Sequence, residues 1–264
     1  MTSDDIWARF VTLTPARIAL GRAGSGLPTV ETLKFALAHA QARDAVHATF
    51  AAADVAAQIE ALELGVPILS AASRAASRQS YLLRPDLGRQ LDADSREAIA
   101  ARAPTHGCDV ALVIADGLSA TAINAHAAAM VAALEPHMKR HGWRLGPLVI
   151  VSQARVAIGD EIGALLGARL VLVMIGERPG LSSPDSLGLY LTYAPHPGRT
   201  DGERNCISNI RGAGMSVDEA AHRAAWLMRE ALLRGMTGVA LKDESDGHLP
   251  ASRNVARMIT DAGQ

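Results

Sequence analysis

Three short apolar runs limit what this chain can fold into more than any other feature. Residues 109–115 contain Val110-Ala111-Leu112-Val113-Ile114-Ala115, residues 147–151 contain Leu148-Val149-Ile150-Val151, and residues 169–175 contain Leu170-Val171-Leu172-Val173-Met174-Ile175. None alternates polar with apolar positions, so none can present a wet face. Runs of this kind read as strands covered on both sides, the pattern of a parallel sheet. Between the first two, Ile123, Ala127, Met130, Leu134 and Met138 recur at helical spacing. Between the second and third, Ile158, Ile162, Leu165 and Leu166 do the same, and Gly167 stops them. Strand, helix, strand, helix, strand is the order of a doubly wound α/β sheet. Further on, the alternation over residues 189–194 predicts a strand with one less buried face. Ser216 and Glu219 form an S-x-x-E capping box for a long helix closed at Gly235, and residues 238–241 read as a final strand.

The preceding part of the chain has another rhythm. After the glycine-rich block at residues 21–28, Thr29 is placed to cap a helix running toward His47, with Leu33, Leu37 and Ala40 on one side. Residues 51–64 read as a second helix ending at Gly65 and Pro67. Residues 81–89, interrupted by Pro85 and Gly88, read as a loop or short turn. Residues 104–107 mark a boundary. The expected fold class is therefore α/β, with an N-terminal helical segment over residues 1–105 and a Rossmann-like, doubly wound, mainly parallel sheet domain over residues 106–264.

Composition removes several function classes. With 26 Lys+Arg against 27 Asp+Glu, the chain lacks the basic excess of a nucleic-acid binder. No apolar run approaches the ~20 residues of a membrane span, and Asp4 and Asp5 stand where a secretory signal would be basic. Cys108 and Cys206 are the two cysteines, so a reducing cytosol is expected rather than a disulfide framework. Aromatic residues make up only 3%, which leaves a core of small aliphatic side chains.

Ligands of open parallel sheets bind beyond the carboxyl ends of the strands. Three segments fall there: Asp116-Gly117-Leu118-Ser119, residues 152–156, and Gly176-Glu177-Arg178-Pro179-Gly180. Asp116 and Ser119 can equally cap the next helix, and Glu177 can equally pair with neighbouring arginines. The Gly21 to Gly26 stretch lacks a leading buried strand, so it reads as a tight turn rather than a phosphate loop. His137 and His141 have the i, i+4 spacing of a zinc pair without its H-E-x-x-H context. Cys206 reads as a buried, inert thiol.

Several blocks resemble the light subunit of ethanolamine ammonia-lyase: Thr14-Pro15-Ala16-Arg17 with the residue 21–28 block, Arg84-Pro85-Asp86-Leu87-Gly88-Arg89, Asp116-Gly117-Leu118-Ser119, Gly176-Glu177-Arg178-Pro179-Gly180-Leu181, and Cys206-Ile207-Ser208-Asn209-Ile210. They stand in the family's order across residues 14–235. The resemblance implies a heavy (large, alpha) subunit with a β/α barrel that holds ethanolamine and most catalytic residues, and a higher hetero-oligomer. It implies adenosylcobalamin lying between the subunits, and a radical conversion of ethanolamine to acetaldehyde and ammonia. It carries Val156, Glu177 and Cys206 over as cobalamin contacts, with no catalytic or metal-ligating residue in this chain. The implied setting is cytoplasmic, with a bacterial microcompartment left open. Asp246-Gly247-His248-Leu249-Pro250-Ala251 nearly matches the D-x-H-x-x-G of enzymes that displace the benzimidazole. Ala251 replaces its glycine, so the cofactor is expected to stay base-on. The alternatives are a stand-alone cobalamin or nucleotide binding protein without catalysis, and a structural shell-associated protein.

Overall fold

Because β2 (Cys108–Ala115) is apolar at successive positions, it feeds two cores at once. Val110, Leu112 and Ile114 point into one, and Ala111, Val113 and Ala115 into the other. The computed structural model describes residues 3–14 and 16–248. In it, β3 (Leu148–Ser152) and β4 (Ala168–Gly176) flank β2 in parallel. The connections are α6 (Ala120–His141) and α7 (Ile158–Leu165).

One core joins the sheet to α6, to α3 (Ala52–Glu60) and to α8 (Val217–Arg234). The other joins it to α5 (Ala93–Ala100) and α7. Ser216 caps α8 by accepting from the Glu219 N–H, and Gly235 ends it in the left-handed region.

Among the described residues the sheet has six strands in the order β1 (Ile68–Ala72), β3, β2, β4, β5 (Leu187–Tyr193) and β6 (Asn205–Ile210), and it is mixed. The expected Rossmann-like, mainly parallel arrangement is corrected on this point. β5 runs antiparallel to β4, and β6 runs antiparallel to β5. The connection over residues 177–186 carries no helix, and a parallel return needs a crossover of a dozen or more residues, usually helical.

A second correction concerns the segment expected to be helical. It contributes β1, an edge strand paired in parallel with β3 from Ile68↔Leu148 to Ala72↔Ser152. Ile68-Leu69-Ser70-Ala71-Ala72 is short and only half buried, so its apolar signal is weak beside those of β2 to β4.

The rest of that segment is helical: α1 (Ser3–Leu13), α2 (Thr29–His47), α3, α4 (Arg78–Leu83) and α5. Thr29 is the first residue of α2 and gives no cap; Pro28 occupies the cap position without a side-chain bond. Residues 81–89, read as loop, hold the end of α4, capped by Ser77, and a 3-10 turn over Leu87–Arg89. Residues 238–241 form a 3-10 turn over Gly238–Ala240 instead of a strand. The Gly21 to Gly26 stretch is a tight turn closed by reciprocal bonds between Ala23 and Gly26. Among the described residues no helix is long and apolar enough to cross a membrane. The last stretch of the expected sheet domain, residues 249–264, lies outside the described residues.

Candidate functional site

The carboxyl ends of β2, β3 and β4 meet two carboxylates with opposite fates. Asp116 is buried; its Oδ1 accepts from the Ala154 N–H at 3.0 Å and its Oδ2 lies 3.5 Å from Arg78 Nη1. Burial pushes its pKa up, against the pull of the Ala154 and Gln153 amides and of Arg78. Arg78 also donates to the carbonyls of Val46 and Gly117. Asp116 is thus a tie between loops, and capping of α6 falls to Ser119, which accepts from the Ala122 N–H.

Gly117 has φ +58°, and a Cβ there would stand 2.2 Å from the Gly176 carbonyl oxygen. The β2 and β4 ends therefore close on each other, with the Leu118 N–H donating to the Gly176 oxygen. Ser119 Oγ donates to the Pro184 carbonyl at 2.7 Å and holds the loop that carries Glu177.

Glu177 follows β4 and opens onto a cleft of about 470 Å³ whose lining includes Tyr81, Arg155, Val156, Glu177, Arg178 and Tyr190. Its Oε1 accepts from Ser208 Oγ at 2.6 Å; its Oε2 accepts from Ser186 Oγ at 2.6 Å and from the Asn209 N–H at 3.1 Å. The expected alternative, an ion pair with a neighbouring arginine, is absent among the described residues. Gly188 beside it has no room for a side chain, because a Cβ would sit 2.9 Å from Glu177 Oε1. Two carboxylate oxygens offer about four acceptor positions, so three donors fix Glu177 and leave one position for a ligand.

The structure brings Val156 and Glu177 into one cleft. Cys206 adjoins it from β6, paired across the strands with Tyr190 of the lining. Cys206 is exposed as a residue, which corrects the expectation of a buried thiol. Close packing around its Sγ pushes the thiol pKa up, and the charge of Glu177 adds to the rise. It therefore stays a neutral thiol near neutral pH.

Two members of the site escaped the sequence reading. Tyr81 is fully buried, with the guanidinium of Arg155 4.3 Å and that of Arg78 4.8 Å from its ring centre, and its hydroxyl donates to the Ala154 carbonyl. An aromatic residue in a chain so poor in them was the available signal. Arg155 fell within the 152–156 segment placed at the strand ends, but nothing singled it out there. Burial pushes the phenols of Tyr81 and Tyr190 well above their usual range, so both remain neutral. The cleft offers donors, one fixed acceptor and apolar surface, an arrangement for binding rather than proton transfer.

His137 and His141 lie on α6, His137 packing edge-on against His222 and His141 stacking on Trp143.

The family model described as "Ethanolamine ammonia-lyase light chain (EutC)" matches residues 4–242. The chain belongs to this light-chain family. It is 59% identical over 238 residues to the ethanolamine ammonia-lyase small subunit of Bradyrhizobium diazoefficiens, covering 90% of each chain. Against the small subunit of Xanthomonas campestris pv. campestris it is 55% identical, covering 92% of this chain and 89% of the other. Against that of Pseudomonas putida it is 51% identical, covering 97% and 94%. As a light chain it is one subunit of a heteromeric lyase, and a large subunit completes the complex.

Proposed function

We propose that this light chain holds part of adenosylcobalamin, base-on, for an ethanolamine ammonia-lyase whose heavy subunit carries the substrate pocket. One observation carries the reading: Val156 and Glu177, from loops after two different strands, share one cleft, with Cys206 against its wall. The residues fit the group. The rim of a corrin ring carries amide side chains, which need both acceptors and donors. Glu177 keeps an acceptor position, and Arg178 beside it supplies N–H donors. The cleft is open and much smaller than a cobalamin, in keeping with a chain that covers only part of the cofactor.

When bound, adenosylcobalamin supplies, by homolysis of its Co–C bond, the radical needed to convert ethanolamine to acetaldehyde and ammonia. Val156 offers an apolar contact, Glu177 orients an amide, and the neutral Cys206 and Tyr190 close the wall without introducing charge. The walls also keep water from that face of the ligand. The same proposal places the complex in the cytoplasm, free or within a microcompartment, as a higher hetero-oligomer. Base-on binding is part of it too: Asp246 sits in a 3-10 turn ion-paired to Arg223, while residues 249–251 of the near-match motif lie outside the described residues.

Co-expression with a heavy subunit, followed by acetaldehyde assay with added adenosylcobalamin, tests the reading. The complex should turn over and the chain alone should not; turnover by the pure chain overturns it. Tight cobalamin binding by the chain alone would favour a stand-alone binding protein instead. In the complex, Glu177→Gln loses a charge-assisted bond worth about 1.5–3 kcal/mol. The cofactor concentration for half-maximal rate should rise about ten- to a hundredfold, with little change in the maximal rate. Normal sedimentation with unchanged cofactor affinity would leave Glu177 a purely structural residue.

A further inference from the structure

Val156 lies at the border of two clefts. On the side away from Glu177, it joins Arg89, Arg155, Ala157, Arg199, Thr200 and Asp201 around a second space of about 440 Å³. The charges there do not cancel. Arg199 is consumed by Glu203 and by the carbonyls of Tyr193 and Ala194. Asp201, the one acid in that lining, is 94% exposed and lies 3.5 Å from Arg204. The Arg89 guanidinium has no ion-pair or hydrogen-bond partner among the described residues. Among the described residues Arg155 forms no ion pair; it stacks on Tyr81, makes one 3.5 Å bond to the Tyr81 carbonyl, and has its buried Nε without a partner.

These two cations are held together by the fold. The Arg155 N–H donates to the Gly88 carbonyl at 2.7 Å. A Cβ on Gly88 would stand 3.0 Å from the Tyr81 ring and 3.1 Å from Arg155 Cγ, so the turn bearing Arg89 lies flat on the Arg155–Tyr81 stack. Two unneutralised guanidinium groups facing one cleft suit an oxyanion, above all a phosphate, which the planar fork of arginine matches.

We infer that Arg89 and Arg155 bind the phosphodiester in the nucleotide arm of the cobalamin whose corrin rim meets Glu177. The inference rests on the cofactor reading above. It adds a direction: the ligand crosses Val156 with its amide rim on the Glu177 side and its one phosphodiester on the arginine side. Isolated carboxylates of a partner or free anions would be drawn by the same charge, and the test separates them.

Equilibrium dialysis of the heavy–light complex, read by corrinoid absorbance, compares cyanocobalamin with dicyanocobinamide, which lacks the nucleotide arm and its phosphodiester. Arg89→Gln, at an exposed position, should weaken cyanocobalamin about ten- to a hundredfold and leave dicyanocobinamide unchanged. Glu177→Gln should weaken both. Inorganic phosphate should compete with cyanocobalamin in the wild-type complex more than in the Arg89→Gln complex. Unchanged cyanocobalamin affinity in Arg89→Gln, or equal losses for the two corrinoids, overturns the assignment while leaving the cofactor reading standing. Failure of the wild-type complex to bind either corrinoid overturns the cofactor reading and this inference with it. Loss of the heavy subunit from the Arg89→Gln complex on sedimentation would assign the arginine to a partner carboxylate and also overturn the assignment.

Discussion

Helices α2 and α6 are both alanine-rich and of similar length, yet they live in different surroundings. α6 buries eight residues, among them Ile123, Met130, Val131, Leu134 and Met138. α2 buries only Ala38 and Ala45, while Val30, Leu33, Phe35 and Leu37 stay exposed. α6 lies on a sheet face whose even-numbered β2 residues demand cover; α2 lies outside it, against α6, through small side chains. The contrast shows that apolar content alone does not bury a helix. A face of the right shape must be waiting, and the sheet here has only two.

Changes in the sheet body should therefore be costly and changes on the outer face of α2 nearly silent in the isolated chain. The sharpest case is Arg204, whose guanidinium makes a buried bidentate pair with Asp160, donates to the buried Thr192 hydroxyl, and also donates to the part-buried Arg199 carbonyl. Burial works against its charge, but the bonds to Asp160 outweigh it and push the arginine pKa up. Arg204→Met strands a buried carboxylate, and urea unfolding should show a loss of about 3–5 kcal/mol. A loss near zero would mean that water reaches Asp160 and that the sheet body is less sealed than its geometry indicates.

A matched pair of truncations comes next. Leu134→Ala should cost about 2–5 kcal/mol, and Leu33→Ala should stay within about 0.5 kcal/mol. Similar losses at both positions would show that the outer face of α2 is covered in solution, and the comparison would fail.

The smallest effect is expected at the rim of the sheet body. Glu203 accepts from the Thr200 N–H and hydroxyl and pairs with Arg199. Its pKa falls from an ordinary 4.5 to about 2, first through the Thr200 amide and then through Arg199. A depressed carboxylate pKa means that the folded chain takes up the proton less readily than the unfolded one. The stabilisation is complete above 4.5 and fades as pH falls toward about 2. Wild type and Glu203→Gln should thus differ near neutral pH and converge in acid when their denaturation midpoints are compared. Added salt should narrow the neutral-pH gap, since the group is exposed. A gap that persists in acid would assign the effect to lost packing instead of charge.

Much of this was legible from the residues. Strands β2, β3 and β4 announced themselves because a strand covered on both faces must be apolar at every position. Helix α8 was marked at both ends by Ser216 and Gly235. The region of the site followed from topology, since Glu177 and Val156 come just after buried strands. Cys206 was reached only through family resemblance, because nothing in its neighbourhood separates it from any other strand cysteine.

What the sequence by itself determined is local: which segments must be covered on both faces, where helices begin and end, and which family the ordered blocks belong to. Tertiary structure alone decided the rest. β1 is a strand because β3 had a free edge, and an edge strand needs little apolar signal of its own. β5 and β6 run antiparallel because the connections are too short for a crossover. Arg89 and Arg155 face one cleft because a backbone bond joins Gly88 to Arg155 across distant parts of the chain. Glu177 became a fixed acceptor, not an ion-pair partner, because Ser208 and Asn209 of β6 arrive beside it only when the sheet closes. These outcomes depend on contacts between residues far apart in sequence, whose energy no local pattern records.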